Sequence, residues 1–276
     1  MLKTSIGMQM SYLVRNKFSI FVSLVLLAAI SINFLINLDG NREILYISEM
    51  YSFEKMLTLS DWSAVGYFMM EYYPLLVVIP TACTYIIDKN SGVNTYIKAR
   101  VGKRNYWYGK MISVFILTLF IFTVPYFMEI ILNVICFSMG SNGDPSGLAF
   151  WQTIGTEDRY FLSDILLQNR VIYAVIMTLL FGAVSAILAT FNFAVTTLSV
   201  FKIKIFTYFP VYILLFAMLI LQKIVNLHFA VDYRFILRMF ETTTVKNYMA
   251  YLLFLTALLI ISVGLIEWKI RKEELL

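Results

Sequence analysis

Residues 18–38 read FSIFVSLVLLAAISINFLINL, an apolar run without a charged side chain. A helix of about 20 residues spans roughly 30 Å of hydrocarbon, so this stretch has the length and character of a membrane-crossing helix. Similar apolar blocks recur along the chain at residues 64–87, 111–137, 171–200, 205–225 and 248–268. The pattern predicts an all-α polytopic membrane protein, with six transmembrane helices in a single transmembrane domain over residues 1–276.

The composition of the chain agrees with this pattern. Of its 276 residues, 60% are hydrophobic and 14% are charged, and the mean hydropathy is +0.78. An ordinary soluble domain is about 25% charged. No segment alternates apolar and polar residues over about ten positions, as the strands of a membrane β-barrel do. The net charge is +5. In a membrane protein, surplus Lys and Arg residues are expected in the cytoplasmic loops, so this charge does not indicate a nucleic-acid partner, and we expect none.

The positions of Lys and Arg predict which membrane face each connection occupies. These residues concentrate in the segment 1–17, in the loop 88–110, at Lys202 and Lys204, and in the tail after Trp268. Cytoplasmic loops are enriched in Lys and Arg, and an even number of crossings puts both termini on one side. We therefore expect both termini in the cytoplasm, in a multi-pass protein of a bacterial cytoplasmic membrane.

Prolines and cysteines give local expectations. Pro74 and Pro80 in the second block, and Pro125 in the third, predict kinks because proline has no amide hydrogen to donate to a helix. Cys83 and Cys136 are expected near opposite membrane faces, too far apart for a disulfide. Both cysteines are interpreted as small core residues.

The loop at residues 88–110, DKNSGVNTYIKARVGKRNYWYGK, carries the most specific signal in the chain. Asn90 or Ser91 can cap a short helix, and Gly102 can end it. One apolar stripe along this helix is formed by Val93, Tyr96, Ile97 and Val101. Such a basic amphipathic helix can lie on anionic lipid or dock into a groove of a cytoplasmic partner.

This loop resembles that of the membrane subunits of ABC transporters of the ABC-2 type. In that family an acidic residue at the inner end of the second helix precedes a Gly by four positions. A coupling helix, a basic residue and a Gly-Lys pair that opens the third helix then follow. The matching residues here are Asp88, Gly92, Arg104, Gly109 and Lys110. The resemblance implies the ABC-2 architecture, like that of type V exporters, with six transmembrane helices and both ends in the cytoplasm.

The resemblance also implies partners and a function. The chain would assemble with two copies of a separate ATP-binding cassette subunit and with a second membrane subunit, identical or related. It would export an amphipathic or hydrophobic substrate, with peptide preferred, by alternating access. The ATP-binding subunit would dock on the loop, at Asp88, Gly92, Val93, Tyr96, Ile97, Lys98, Arg100, Val101, Arg104 and Lys110.

Two further segments fit the family pattern. The segment 1–17 can form an amphipathic helix on the inner membrane surface, with an apolar side made of Ile6, Met10, Leu13 and Val14. The outer connection 226–247 has apolar residues at helical spacing and suits short re-entrant helices. The other long outer connection, 138–170, is rich in Gly, Ser and Asp and is expected to be a surface loop.

The chain lacks the motifs of an enzyme. The phosphate-binding pattern G-x-x-x-x-G-K-[ST] is absent, because Ile97 and Arg104 occupy the positions where the first Gly is required. The single histidine, His228, and the absence of H-E-x-x-H and G-x-S-x-G patterns leave no catalytic constellation. We therefore expect a subunit that binds no cofactor itself, with ATP and Mg²⁺ held by the partner.

Glu71 and Glu129 are acidic residues well inside apolar blocks. An ionisable group in a bilayer costs at least ~2.5 kcal/mol, so such residues usually face a cavity or a partner. Both are expected at similar depth, with Asn133 one turn from Glu129. Two interpretations stay open, a translocation path for a cationic substrate and a hydrogen-bonded packing contact. The alternative function is an ion-coupled secondary transporter or channel that uses these two glutamates.

Overall fold

The computed structural model describes residues 2–40, 53–60, 63–137, 162–201, 203–225, 233–234 and 248–275. Within these ranges the chain forms helices joined by turns, without a β-strand. The prediction of an all-helical protein is therefore confirmed for the described residues. The expected loop at 138–170 and the expected amphipathic connection at 226–247 lie mostly outside them.

The α-helices, in chain order, are α1 (Leu2–Val14), α2 (Lys17–Gly40), α3 (Ala64–Leu76), α4 (Thr84–Asn90), α5 (Val93–Val101), α6 (Lys103–Cys136), α7 (Ser163–Gln168), α8 (Arg170–Thr196), α9 (Phe209–Val225) and α10 (Tyr248–Glu274). Short 3₁₀ segments span Phe53–Met56 and Lys204–Tyr208. Among the described residues, 5 helices are long and apolar enough to cross a membrane. They are α2, α6, α8, the segment Lys204–Leu221 that includes most of α9, and α10. This set fits a membrane-embedded protein.

The second apolar block is the one that the structure divides. Helix α3 ends at Leu76 with Pro74 in its last turns, and α4 starts only at Thr84. Between them the backbone mixes hydrogen bonds to the third and fourth preceding residues, while Pro80 has no amide hydrogen to donate. The expected kink is therefore a break between two short helices, and neither is long enough alone to cross a membrane.

Helices α6 and α8 form the centre of the bundle. About half of their apolar spans is buried inside the protein, 50% and 56%, compared with 17% for the spans of α9 and α10. Gly182 on α8 lies so close to Thr123 on α6 that a Cβ atom there would overlap the threonine hydroxyl. The rings of Tyr73, Phe122 and Phe181 fill the space beside this contact, with centroids 5.5 to 6.0 Å apart.

The two cysteines have different surroundings. The Cys83 sulfur is buried and lies 3.1 Å from the hydroxyl of Tyr208. Cys136 is exposed in the last turn of α6. The interpretation as a small core residue therefore holds for Cys83 and is wrong for Cys136.

The first and last helices meet at the same end of the bundle. Helix α1 packs against α5 and α6, and Glu273 in the last turn of α10 is hydrogen bonded to Lys98 of α5. We call this region the basic end; it comprises α1, the loop 88–110 and the last turns of α10.

Candidate functional site

Two glycines set the path of the loop at the basic end. Gly92, before α5, has φ +72°, and Gly102, after it, has φ +88°. Glycine adopts positive φ values at little cost, whereas an L-residue in the left-handed helical region loses roughly 1–2 kcal/mol. These two glycines therefore separate α5, a helix of 9 residues, from α4 and α6.

A buried ion pair joins the two ends of the loop. The ammonium of Lys110, at the start of α6, donates to the carboxylate of Asp88, at the end of α4, and lies 3.3 Å from the carbonyl oxygen of Thr84. The hydroxyl of Tyr106 donates to the same carboxylate at 3.0 Å. Two residues that the sequence marked for partner docking thus face each other inside the protein.

The apolar stripe of α5 divides between the bundle and solvent. Val101 is buried and Ile97 is half-buried against the core. Val93 and Tyr96 remain 43% and 69% exposed. Arg100 is also exposed. The surface that α5 offers to another molecule is therefore centred on Val93, Tyr96 and Arg100.

Three basic residues of the loop, Lys98, Lys103 and Arg104, contact glutamates of α10 in the same chain. Lys98 forms an ion pair with Glu273, 2.7 Å between Nζ and Oε2, and Arg104 pairs with Glu267 at 3.1 Å. The ammonium of Lys103 donates to the backbone carbonyl of Glu273. The sequence assigned Lys98 and Arg104 to partner docking, but in this structure α10 of the same chain binds both.

Aromatic rings surround the Lys98 ammonium. It lies 4.6 Å from the ring centroid of Trp107 and 5.2 Å from that of Tyr106. The indole nitrogen of Trp107 donates to Glu273 Oε2 at 3.1 Å. Burial lowers the pKa of Lys98 below its ordinary value, while the hydrogen bond and the charge of Glu273 act in the opposite direction.

Helix α1 contacts α6 through small polar residues. Its buried residues are Ser5, Gln9 and Leu13, one turn apart, and the Gln9 amide donates to the Tyr106 carbonyl oxygen at 3.0 Å. A Cβ atom at Gly109 would overlap Ser5, so the glycine permits this close approach. Of the apolar side expected from the sequence, only Leu13 is buried here, and Val14 is exposed.

A cavity of about 120 Å³ lies among α1, α5 and the facing ends of α4 and α6. It is lined by Met8, Gln9, Tyr12, Leu13, Asp88, Ser91, Val93, Ile97 and Lys110. At about 30 Å³ per molecule, this volume is enough for a few waters. The contact between α5 and α1 is therefore incomplete.

Glu129 lies near the end of α6 that is opposite to the basic end. There its carboxylate binds Thr58, which lies in the turn after the first 3₁₀ segment. Its Oε1 accepts hydrogen bonds from the Thr58 amide at 2.8 Å, the Thr58 hydroxyl at 2.6 Å and the Asn33 amide at 2.9 Å. The Asn133 amide donates to the backbone oxygen of Glu129, 2.9 Å away. These contacts favour the packing interpretation of Glu129.

Glu71 has a separate partner. Its carboxylate pairs with Arg234 at 2.9 Å, and 43% of its side chain is exposed. No hydrogen-bond partner common to Glu71 and Glu129 is found among the described residues. The structure therefore does not bring the two expected path residues to one site.

Sequence reasoning missed Glu267 and Glu273. The sequence did offer a signal. Glu273 lies within the otherwise basic tail, WKIRKEE at residues 268–274, and Glu267 comes directly before that tail. Their partners could not be read from sequence, because Lys98 and Glu273 are 175 positions apart.

In the described part of the chain, no group of three or more His, Cys, Asp or Glu residues is arranged to hold a metal ion. No protein-family model, curated protein or solved structure matches this chain.

Proposed function

We propose that this chain is the membrane subunit of an ATP-driven exporter of the ABC-2 type, working in a bacterial cytoplasmic membrane. The observation that carries the proposal is the exposed apolar pair Val93 and Tyr96 on α5. Exposed apolar side chains on a short connecting helix are expected where another protein covers them. An ATP-binding subunit is the partner that the ABC-2 resemblance supplies.

The proposed topology has six crossings with both termini in the cytoplasm. The interrupted segment from α3 to α4 serves as the sixth crossing beside the five long helices. The meeting of α1 and the end of α10 at the basic end supports an even number, because an odd number would separate the termini. The concentration of Lys and Arg there supports a cytoplasmic position.

The complete transporter would contain two copies of the ATP-binding subunit, which hold ATP and Mg²⁺, and a second membrane subunit, identical or related. Closure of the nucleotide-binding pair would move α5, and the membrane helices would then repack to release substrate outward.

The proposed substrate is amphipathic or hydrophobic, and peptide is the first class to test. An open apolar groove of about 880 Å³ lies between the end of α8 and the start of α9, and its lining suits an apolar substrate. Its lining is Phe191, Val195, Val200, Phe201, Phe206, Phe209, Pro210, Ile213, Leu214 and Ala217.

The experiment is co-purification of the chain in mild detergent with the ATP-binding proteins of its own cell. We expect the wild-type chain to bring down an ATPase, and the Val93→Asp, Tyr96→Asp double variant to lose it. Leu275→Asp is the matched control, because Leu275 is an exposed apolar residue 88% accessible at the same end. If the folded wild-type chain captures no ATPase, or the double variant captures as much, the proposal is wrong.

A further inference from the structure

We propose that Glu273 is a positioning residue that fixes the orientation of α5 by tying it to the last membrane helix, α10. We call the contact between Lys98 and Glu273 the strut. The inference deepens the proposed function, on which its role in transport rests: through the strut, a partner that moves α5 would also move α10.

Glu273 collects bonds from two neighbouring elements. Lys98 of α5 donates to both of its carboxylate oxygens, at 2.8 and 2.7 Å. Trp107 of α6 donates to Oε2 at 3.1 Å, and Lys103 donates to its backbone oxygen. A carboxylate held from two sides has one favoured position, so the last turn of α10 is fixed against the loop.

The strut is shielded from water, unlike the neighbouring ion pair. The side chains of Lys98 and Glu273 are only 13% and 20% exposed, whereas Arg104 and Glu267 are 68% and 27% exposed. The rings of Trp107 and Tyr106 beside Lys98 exclude solvent further. Exposed pairs contribute little and are screened by salt, whereas shielded, hydrogen-bonded pairs hold their geometry.

Helix α5 depends on such a contact for its orientation. It lies between Gly92 and Gly102, which have positive φ values and separate it from α4 and α6. A cavity of about 120 Å³ leaves its contact with α1 incomplete. Ile97 and Val101 pack on the bundle, and Lys98 forms the ion pair with Glu273. Apolar contacts tolerate sliding, whereas the charge-assisted hydrogen bonds of the Lys98 ammonium hold only at a short donor–acceptor distance, so Lys98 and Glu273 restrict the angle of α5.

Helix α10 can carry the movement into the bundle. Above the strut it packs against α8 and α6, and Ile266 and Ile270 are buried in this contact. A displacement of α5 that pulls Glu273 therefore acts on a helix that reaches across the membrane. The covalent connections of α5 through α4 and α6 offer a second route, so loss of the strut should weaken the coupling rather than abolish it.

The first experiment measures the strut in the purified chain, without any partner. Spin labels are placed at Thr95→Cys, an exposed position of α5 outside the docking surface, and at Leu275→Cys in a Cys83→Ser, Cys136→Ser background. The distance distribution is recorded in lipid nanodiscs. We expect Glu273→Gln to widen the distribution at least twofold. Glu274→Gln, which removes the same charge from the next, exposed residue, should leave it unchanged. An unchanged distribution in Glu273→Gln overturns the strut.

A second variant set guards against misfolding. If Glu273→Gln does not give a monodisperse protein, Lys98→Gln removes the same ion pair from the other side and should widen the distribution equally. Lys98→Arg keeps the positive charge and the hydrogen-bond donors beside the rings and Glu273, so it should keep the distribution narrow. If Lys98→Arg widens the distribution as much as Lys98→Gln does, general packing and not the ion pair orders α5, and the strut is wrong.

The last measurement separates the strut from the proposed function. In the complex with the co-purified ATPase, we expect Glu273→Gln to keep the partner bound but to reduce at least threefold the ATP-induced change in the label distance. Glu274→Gln again serves as the control. If no ATPase binds, the proposed function fails while the nanodisc measurement still decides the strut. If the ATP-induced change persists in full, the transport role of Glu273 is wrong.

Discussion

Lys110 at the start of α6 pairs with Asp88 at the end of α4, and only 2% and 9% of the two side chains are exposed. Twenty-two positions separate the residues, so the pair closes the base of the whole loop. The sequence marked both residues through their resemblance to family positions. In the structure their immediate role is to hold together the two helices from which α5 projects.

Asp88→Asn tests this ion pair. It leaves the Lys110 ammonium buried without its counter-charge, and breaking a buried pair typically costs about 3–5 kcal/mol. We expect a loss of this size in the free energy of unfolding, measured by denaturant titration in detergent. The double variant Asp88→Asn, Lys110→Met removes both charges and should recover most of the loss. Equal destabilisation in the single and double variants would contradict the importance of the pair.

Gly109→Val tests the contact between α1 and α6. The added side chain would overlap Ser5, so α1 should detach from its place. We expect several-fold faster trypsin cleavage after Arg15 or Lys17, followed by mass spectrometry. Gly264→Val is the control, because Gly264 on α10 has open space around its Cβ position. Equal cleavage rates in the two variants would show that α1 does not depend on this contact.

Substitutions of Glu129 can distinguish a role in packing from a role in ion coupling. Gln can accept the same hydrogen bonds from Thr58 and Asn33 through its amide oxygen, whereas Leu cannot. We expect Glu129→Leu to be less stable than Glu129→Gln by about 1–3 kcal/mol, since it leaves buried donors unsatisfied. Chemical unfolding in detergent measures both variants. If the Gln variant is destabilised as much as the Leu variant, the charge itself matters and the ion-coupled alternative gains support.

Glu71→Gln tests the pair with Arg234. Glu71 lies inside an apolar block, so the exposed part of its side chain should face lipid, where salt does not screen the pair. Gln can still accept a hydrogen bond from Arg234, so we expect a loss of about 1–3 kcal/mol in unfolding free energy, equal at low and high salt. A loss that high salt reduces would show that the pair lies in water.

The orientation in the membrane can be tested with cysteine labelling. We expect a membrane-impermeant maleimide to label exposed Cys136 in intact cells, because α6 should end on the outer side. Thr95→Cys, at an exposed position of α5 outside the docking surface, should react in a Cys136→Ser background only after the membrane is opened. Buried Cys83 should react in neither case. The reverse pattern would place the basic end outside and contradict the proposed topology.

The sequence by itself determined the helical membrane character of this protein. A run such as residues 18–38 has one physical solution in hydrocarbon, a helix that satisfies its own backbone groups. The short helix in the loop 88–110 was also readable, and it ends at Gly102 as expected. Its N-cap is Gly92, without a side-chain hydrogen bond, and not the expected Asn90 or Ser91. Such features depend on neighbours in sequence, and periodicity and turn residues report them directly.

Only the tertiary structure decided what the charged side chains contact. Lys98 and Arg104 could face a partner, lipid or their own chain, and Glu273 and Glu267 became their partners because α10 ends beside α5 and α6. Glu71 and Glu129 received separate partners for the same reason, since helix packing sets which side chains meet. The break between α3 and α4 likewise needed the structure, because a proline can kink a helix or end it. Long-range pairing depends on the relative positions of helices, and no local pattern in the sequence encodes those positions.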